Sequence, residues 1–234
     1  MGALYMIPCS LGEGAQQDMM SAQTIPVINS TKHYLVEDLR SARRFLRWMD
    51  REIDIDAMTF TVIGKNSGNI DLAKMLGPVE KGENVGVISE AGCPGIADPG
   101  SAVVQKAHEL GIRVVPISGP SSFYMALMAS GLNGQQFYFS GYLPKERKDR
   151  VRTIQEMERN ALVSGITQLF MEVPFRNHHL LEDILAQCKP ATRLCIAADI
   201  SLPGEFIKTQ TISEWKKKAA PDLKKRPCVF LLGR

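Results

Sequence analysis

The sequence predicts an α/β protein made of two domains that face each other across a cleft. Three observations support this prediction. Short apolar runs rich in β-branched residues alternate along the chain with segments of helical periodicity. The 234 residues, 44% of them hydrophobic, can bury a substantial core. A turn at residues 118–119 separates the halves, which predicts an N-terminal domain of residues 1–117 and a C-terminal domain of residues 118–234.

The first elements of the N-terminal half follow from local patterns. Residues 4–8 (LYMIP) are a short apolar run that predicts a strand, and another strand is expected around residues 32–36. Residues 36–49 repeat apolar side chains at helical spacing, which predicts an amphipathic helix with a basic outer face. Its apolar face consists of Leu39, Ala42, Phe45, Leu46 and Met49.

A strand–helix–strand unit is predicted in the middle of the chain. Residues 84–89 (NVGVIS) and 112–117 (IRVVPI) are runs of the buried-strand type. Between them Asp98 stands where an N-cap belongs, Pro99 at the first helical position and Gly111 just past the periodic segment. Such a unit predicts parallel strands and a doubly wound N-terminal domain.

The C-terminal half has its own alternating elements. A short helix that ends at Gly131 is expected first, capped by Ser121 or Ser122. The predicted strands are 135–143, 167–173, 193–200 and 227–233, and the predicted helices are about 147–162, 175–187 and 213–219.

Charge is distributed unevenly between the two halves. Residues 1–141 hold 11 basic and 14 acidic side chains, whereas residues 142–234 hold 17 basic and 11 acidic ones. Two basic clusters, 145–152 and 216–226, either contact a polyanion or only keep the surface solvated.

Composition excludes several classes of protein. The five cysteines are odd in number, scattered and without CxxC spacing, which argues against a disulfide framework and a zinc site. No run of 18 uncharged apolar residues and no basic region before the first apolar stretch is present. We therefore expect neither a membrane span nor a signal peptide, and a cytoplasmic location.

Two loops follow strands at the carboxyl edge of the predicted N-terminal sheet, where open parallel sheets bind ligands. Residues 89–100 (SEAGCPGIADPG) contain three glycines and two prolines, which permits close approach of backbone to a ligand. The segment lacks the GK[ST] and GxGxxG patterns of phosphate and dinucleotide loops. Residues 118–122 (SGPSS) open the next helix. Taken one at a time, residues 89–100 are typical of a tight turn and residues 118–122 of a helix cap. If the two loops follow adjacent strands, however, together they predict the rim of one binding pocket.

The order of six segments resembles a known family. LYMIP, VEDLRSARRFL, SEAGCPGIADPGSAVV, VVPISGPSSFYMALMASGL, YFSGYLPKERKDR and FMEVPFRN are similar to successive motifs of the tetrapyrrole methylase superfamily, the class III S-adenosylmethionine-dependent methyltransferases. The GDPxxYG loop of the cobalamin and siroheme members is absent. The pattern is most similar to the branch that methylates a cytidine 2'-hydroxyl of small-subunit ribosomal RNA.

The resemblance implies a parallel N-terminal sheet, a mixed C-terminal sheet and S-adenosyl-L-methionine in the cleft between the domains, with no metal. It also implies a homodimer. The positions that match cofactor contacts are Leu11, Ser89, Glu90, Ala91, Gly92, Ile96, Ser121, Ser122, Met171 and Ala198.

Two further motifs are similar to catalytic or substrate-contacting segments of the family. Glu37, Asp38 and Arg40 match an EDxR element, and Glu172 and Arg176 match a motif that usually reads ESPHR. A ribose hydroxyl needs a base to remove its proton, and the carboxylates Glu37, Asp38 and Glu172 are the candidates, together with His33. Glu37 and Asp38 equally suit the dipole of a helix N-terminus.

Arginines at helical spacing provide candidate RNA contacts. Arg40, Arg43, Arg44 and Arg47 lie on one predicted face, where guanidinium groups would hold phosphates or form a solvated surface. Adjacent His178 and His179 diverge on a helix and are expected to be surface residues, not metal ligands.

Other functions stay open at this stage. A tetrapyrrole or other small-molecule methyltransferase would have a large apolar cleft in place of a basic rim. A non-catalytic module that binds S-adenosylmethionine is suggested by altered motifs: CSLGEG replaces the usual TPIGN, and Val173 and Phe175 replace serine and histidine.

Overall fold

The computed structural model describes residues 2–64 and 71–234. The chain forms two compact units, Met1–Ser121 and Ser122–Arg234. The sequence-based boundary lies a few residues earlier and stays a prediction. Within the described residues, no helix combines the length and apolarity needed to cross a membrane. All five cysteines are free thiols.

The N-terminal unit is a parallel five-stranded sheet with helices on both faces. Its strands run in the order β3-β2-β4-β1-β5, and every neighbouring pair is parallel. The strands are β1 Leu4–Ile7, β2 Thr31–Val36, β3 Thr59–Val62, β4 Asn84–Ile88 and β5 Val114–Pro116. The helices are α1 Thr24–Asn29, α2 Leu39–Met49, α3 Leu72–Glu80 and α4 Ser101–Glu109, with 3₁₀ turns at Gln17–Met19 and Ile55–Ala57.

Alternation along the strands supplies a core on each face of this sheet. Ile7, Val36 and Ile88 join the cluster beneath α2, whereas Val85 and Val87 join the cluster beneath α3 and α4. The α2 face predicted from the sequence is confirmed for Ala42, Phe45, Leu46 and Met49, which are buried; Leu39 is exposed because it stands at the first helical position.

Two predictions for the strand–helix–strand unit are wrong. Strands β4 and β5 do not pair; both pair with β1, which lies between them, so their loops are not at adjacent strand ends. Helix α4 begins at Ser101 with Gly100 as its N-cap, so Asp98 and Pro99 belong to the loop. Gly100 occupies this position with φ +140°, a conformation in which an added Cβ would lie 2.9 Å from the Gly95 nitrogen.

The C-terminal unit contains a mixed five-stranded sheet, which confirms the expectation from the family resemblance. The order is β6-β7-β10-β8-β9, with β6 parallel to β7 and the other pairs antiparallel. The strands are β6 Phe137–Tyr142, β7 Thr167–Glu172, β8 Arg193–Ala198, β9 Phe206–Thr211 and β10 Cys228–Gly233. The helices are α5 Ser122–Ser130, α6 Arg147–Ser164, α7 Asn177–Gln187 and α8 Ile212–Lys216, with a 3₁₀ turn at Pro174–Arg176.

Helices α6 and α7 are joined by a buried ion pair. The carboxylate of Asp183 accepts hydrogen bonds from Arg150 at 2.7 and 2.9 Å and from Arg147 at 2.9 Å. Arg150 also donates to the Lys145 carbonyl at 2.8 Å. Part of the basic cluster predicted at 145–152 is therefore structural, because two of its arginines neutralise a buried carboxylate.

Candidate functional site

Three loops pack together at the carboxyl edge of the N-terminal sheet. The loop after β1 meets the loop after β4 through two backbone hydrogen bonds between Cys9 and Gly92, at 2.8 and 3.2 Å. The thiol of Cys93 then donates to the Pro120 carbonyl of the loop after β5, at 3.5 Å. Although β1 separates β4 from β5 in the sheet, the loop after β4 contacts both other loops, so the three strand ends form one surface.

Glycine is required at two positions of these loops, at Gly119 by close packing and at Gly92 by a positive φ. Gly119 passes so near Pro8 that an added Cβ would lie 2.2 Å from the Pro8 Cγ. Gly92 has φ +71°, and an added Cβ there would stand 3.5 Å from the Leu11 side chain and 3.7 Å from the Pro120 carbonyl oxygen. The predicted cofactor positions Leu11 and Gly92, which are far apart in sequence, are thus in neighbouring loops.

Carboxyl groups gather beside these loops. The Glu37 carboxylate accepts a hydrogen bond from the Glu90 backbone N–H at 3.2 Å. Burial, followed by the charges of Glu37 and then Glu90, raises the pKa of Asp98 to about 6, although a hydrogen bond from Ser89 partly opposes this rise. Sequence reasoning assigned Asp98 to a helix cap and did not include it among the candidate bases.

The serine positions of the predicted cofactor site differ in their contacts. Ser89 is buried, and its hydroxyl donates to the Ala91 carbonyl at 3.4 Å. Ser121 is also buried, and its hydroxyl has no hydrogen-bond partner among the described residues. Ser122 is half-buried at the start of α5, while Ala91 and Ile96 are exposed.

These groups are chemically suited to S-adenosylmethionine. The sulfonium and the amino group of that molecule are positive, and Glu37, Glu90 and Asp98 supply negative charge within one group of loops. The unpaired Ser121 hydroxyl leaves a buried donor and acceptor for which a bound ligand could provide the partner. The residues present therefore fit the cofactor that the sequence implies.

The EDxR segment divides into a cap and an exposed basic helix. Asp38 is the N-cap of α2 and accepts from the Ser41 backbone N–H at 2.7 Å, which lowers the pKa of its carboxyl. Arg40, Arg43 and Arg44 are exposed on the same helix. Arg43 pairs with Asp56 at 3.0 Å and Arg44 with Glu13 at 2.8 Å.

The remaining predicted site residues belong to the C-terminal unit. Glu172 is buried at the end of β7, where its Oε1 accepts from Arg176 at 2.6 Å and from the Val173 backbone N–H at 2.7 Å. The Glu172 Oε2 and the Arg176 Nε are buried without a hydrogen-bond partner among the described residues. Met171 is half-buried, and Ala198 is buried at the end of β8.

The histidines lie elsewhere. His33 pairs with Glu83 at 2.9 Å near the amino end of β2, which is the edge of the sheet opposite the three loops. His178 lies 3.6 Å from Asp222, and His179 is exposed. Residues 2–64 and 71–234 contain no group of three or more histidines, cysteines or carboxylates that could hold a metal ion.

Comparison with known proteins connects this arrangement to one family. A family model of tetrapyrrole (corrin/porphyrin) methylases matches residues 18–216. Ribosomal RNA small subunit methyltransferase I from Pseudomonas aeruginosa is 28% identical over 237 residues, which cover 99% of this chain and 79% of that protein. The protein of the same name from Escherichia coli O157:H7 is 29% identical over 223 residues, covering 93% and 73%.

Solved structures show the same fold at low identity. The methyltransferase CobJ aligns with a TM-score of 0.62 at 14% identity, covering 100% of this chain and 95% of that chain. Uroporphyrin-III-C-methyltransferase from Thermus thermophilus aligns with a TM-score of 0.56 at 16% identity, covering 100% and 94%. At such identities the likeness supports the fold and no finer property.

Proposed function

Since the chain belongs to the tetrapyrrole (corrin/porphyrin) methylase family, we propose that this S-adenosylmethionine-dependent methyltransferase methylates the 2'-oxygen of a cytidine ribose in small-subunit ribosomal RNA. The observation that carries the RNA assignment is the similarity to ribosomal RNA small subunit methyltransferase I over nearly the whole chain. The exposed arginines of α2, of which Arg44 contacts Glu13 in the loop after β1, support it because they suit a polyanion.

The cofactor supplies an activated methyl group on a sulfonium, and the leaving group is a neutral thioether. The protein has to hold the acceptor in line with that group and exclude water. Leu11, Gly92 and Ser121 belong to the three packed loops that would do this, and Ser89, Glu90, Ala91 and Ile96 extend the same surface. Ser122, Met171 and Ala198 are proposed contacts from the C-terminal unit.

A base must take the proton of the ribose hydroxyl. Asp38 is occupied as a helix cap, and Glu172 holds Arg176 and a backbone N–H. Asp98 is the best suited carboxyl, because its pKa of about 6 leaves it largely ionised yet basic near neutral pH. The negative charge of the nearby Glu37 carboxylate favours proton uptake by Asp98.

Location and assembly are part of the proposal. Free cysteines accord with a reducing compartment, and an enzyme that modifies ribosomal subunits works in the cytoplasm where those subunits are. A homodimer is expected from the resemblance to the family, and light scattering on the purified protein measures the oligomeric state.

Arg40, Arg43, Arg44 and Arg176 are the proposed contacts to the RNA.

The experiment is methyl transfer from labelled S-adenosylmethionine to isolated small ribosomal subunits, followed by digestion of the RNA to nucleosides. We expect the label in 2'-O-methylcytidine and little label with Asp98→Asn. Binding of S-adenosylmethionine without transfer to any RNA would indicate a non-catalytic module. Transfer to a porphyrin or corrin but not to RNA would indicate a small-molecule methyltransferase.

A further inference from the structure

A pocket of about 400 Å³ lies in the N-terminal unit between the loop after β1 and helix α2. Residues 9, 10 and 12–15 of the loop form one wall, and Glu90 of the loop after β4 also lines the pocket. Such a volume lies within the range of small-molecule sites, and it accommodates one base with its sugar. Of the positions predicted for the cofactor, Glu90 alone lines this pocket within the described chain.

One face of α2 forms the opposite wall. Ser41, Arg44, Phe45 and Trp48 follow the three- and four-residue spacing that places side chains on the same side of a helix. Phe45 is buried, and the half-buried Trp48 ring lies 6.1 Å from it between centroids. The pocket therefore offers an indole ring that rests on the core and is held in place by it.

Two contacts connect the chain after β1 to helix α2. The guanidinium of Arg44 binds the Glu13 carboxylate at 2.8 Å, with both side chains largely exposed. The side chain of Gln17, beyond the loop, donates to the Trp48 carbonyl. Because the Arg44–Glu13 pair is exposed to solvent, a stronger anion can replace the carboxylate at little cost.

We propose that this pocket binds one unpaired nucleotide of the RNA substrate, with its base stacked on Trp48 and its phosphate held by Arg44; this inference rests on the proposed function. Splayed-out bases of single-stranded RNA are recognised by stacking on aromatic side chains and by hydrogen bonds to the base edge. Carboxylates accept hydrogen bonds from exocyclic amino groups of bases. Glu13 and Glu90 therefore favour cytosine over uracil.

The pocket suits an RNA nucleotide better than the adenosine of the cofactor. S-adenosylmethionine has no phosphate, whereas Arg44 continues a row of exposed arginines, Arg40, Arg43 and Arg47, that suits a chain of phosphates. The loops predicted to hold the cofactor are joined to one another through Cys9, Gly92 and Pro120, and of these three residues Cys9 alone lines the pocket.

The test uses the full-length chain with short single-stranded oligocytidylate and oligouridylate as probes. The chain has two tryptophans, and Trp215 is buried in the C-terminal unit, where it donates to the Leu194 carbonyl. Oligocytidylate should therefore quench the fluorescence of Trp48, and the quench should vanish in Trp48→Leu. Affinity should fall about tenfold in Trp48→Leu, which removes one stacking contact. Arg44→Gln should reduce the slope of log affinity against log salt concentration by about one, which corresponds to the loss of one phosphate contact.

Arg113→Gln is the matched control. It removes one exposed arginine from the same unit, but Arg113 precedes β5 and so lies at the amino edge of the sheet, away from the pocket. Binding of both probes should be unchanged in this variant. Thermal melts of all variants check that the N-terminal unit remains folded.

Calorimetry with S-adenosylmethionine separates this proposal from the proposed function. Unchanged cofactor affinity in Trp48→Leu and Arg44→Gln, with weakened oligocytidylate binding, supports the nucleotide pocket. Loss of cofactor affinity in these variants would assign the pocket to the cofactor and overturn the proposal. The proposal would also be overturned if the unsubstituted protein did not bind oligocytidylate, or if all variants bound it equally well. Either result would do so even if the protein methylates ribosomal subunits.

Discussion

Replacing Asp98 with asparagine tests whether its surroundings disfavour the charged carboxylate as strongly as the structure indicates. Burial and the charges of Glu37 and Glu90 raise the pKa of Asp98 from 3.8 to about 6. A pKa difference of this size between the folded and unfolded chain corresponds to about 3 kcal/mol. Since Asp98 is only partly buried, solvent screening reduces this to about 1–2 kcal/mol.

The direction of the effect follows from the raised pKa. The protonated Asp98 carboxyl contributes stability below about pH 4, and this contribution is lost as the pH rises through about 6. Asparagine resembles the protonated form and cannot ionise. We therefore expect Asp98→Asn to raise the free energy of unfolding by about 1–2 kcal/mol at about pH 7.5 and to have little effect at about pH 4.

Urea denaturation of both proteins at several pH values measures this difference. Glu80→Gln is the control, because Glu80 is an exposed carboxyl on α3, outside the loops; its effect should be small at every pH. A less stable Asp98→Asn protein at about pH 7.5, or a difference that does not change with pH, would refute the reasoning. The gain in stability should accompany a loss of methyl transfer of about 100-fold or more, which is the usual contribution of a general base.

Three further substitutions test the loops and the core. Gly92→Ala should weaken S-adenosylmethionine binding in calorimetry, because a Cβ there would be strained at φ +71° and would lie between Leu11 and the Pro120 carbonyl. Gly119→Ala should lower the free energy of unfolding by about 2 kcal/mol in urea titrations, because its Cβ would overlap Pro8, and equal stability would contradict the packing. Asp183→Ala should cost about 3–5 kcal/mol, since it leaves the buried Arg150 unpaired, and a loss below about 1 kcal/mol would contradict that role.

The strands that sequence reasoning found are those with a run of apolar or aromatic residues, and they include the half-buried or exposed edge strands β5 and β6. Strand β4 is almost entirely buried, so its unbroken apolar run was decisive. Strands β3 and β9 were missed because threonines in both, and a lysine and a glutamine in β9, interrupt their apolar residues. The order of strands could not be predicted either, since the insertion of β1 between β4 and β5 depends on contacts far apart in sequence.

The site shows the same division between local and distant effects. The glycine-rich segment after β4 and the serine segment after β5 were found because their composition alone requires an irregular backbone. Asp98 was misassigned because Asp-Pro before a helical pattern usually marks a helix start. Here the backbone of Pro99 instead accepts a hydrogen bond from Gly95, and the pKa of Asp98 depends on Glu37, which is 61 positions away in the sequence.

Hydrogen–deuterium exchange with and without S-adenosylmethionine tests most directly whether the packed loops hold the cofactor. We expect slower exchange on addition of the cofactor in residues 9–12, 89–97 and 118–122, with the amino edge of the same sheet unchanged. Protection confined to other segments, with these three loops exchanging at the same rate in both samples, would contradict the proposed cofactor site.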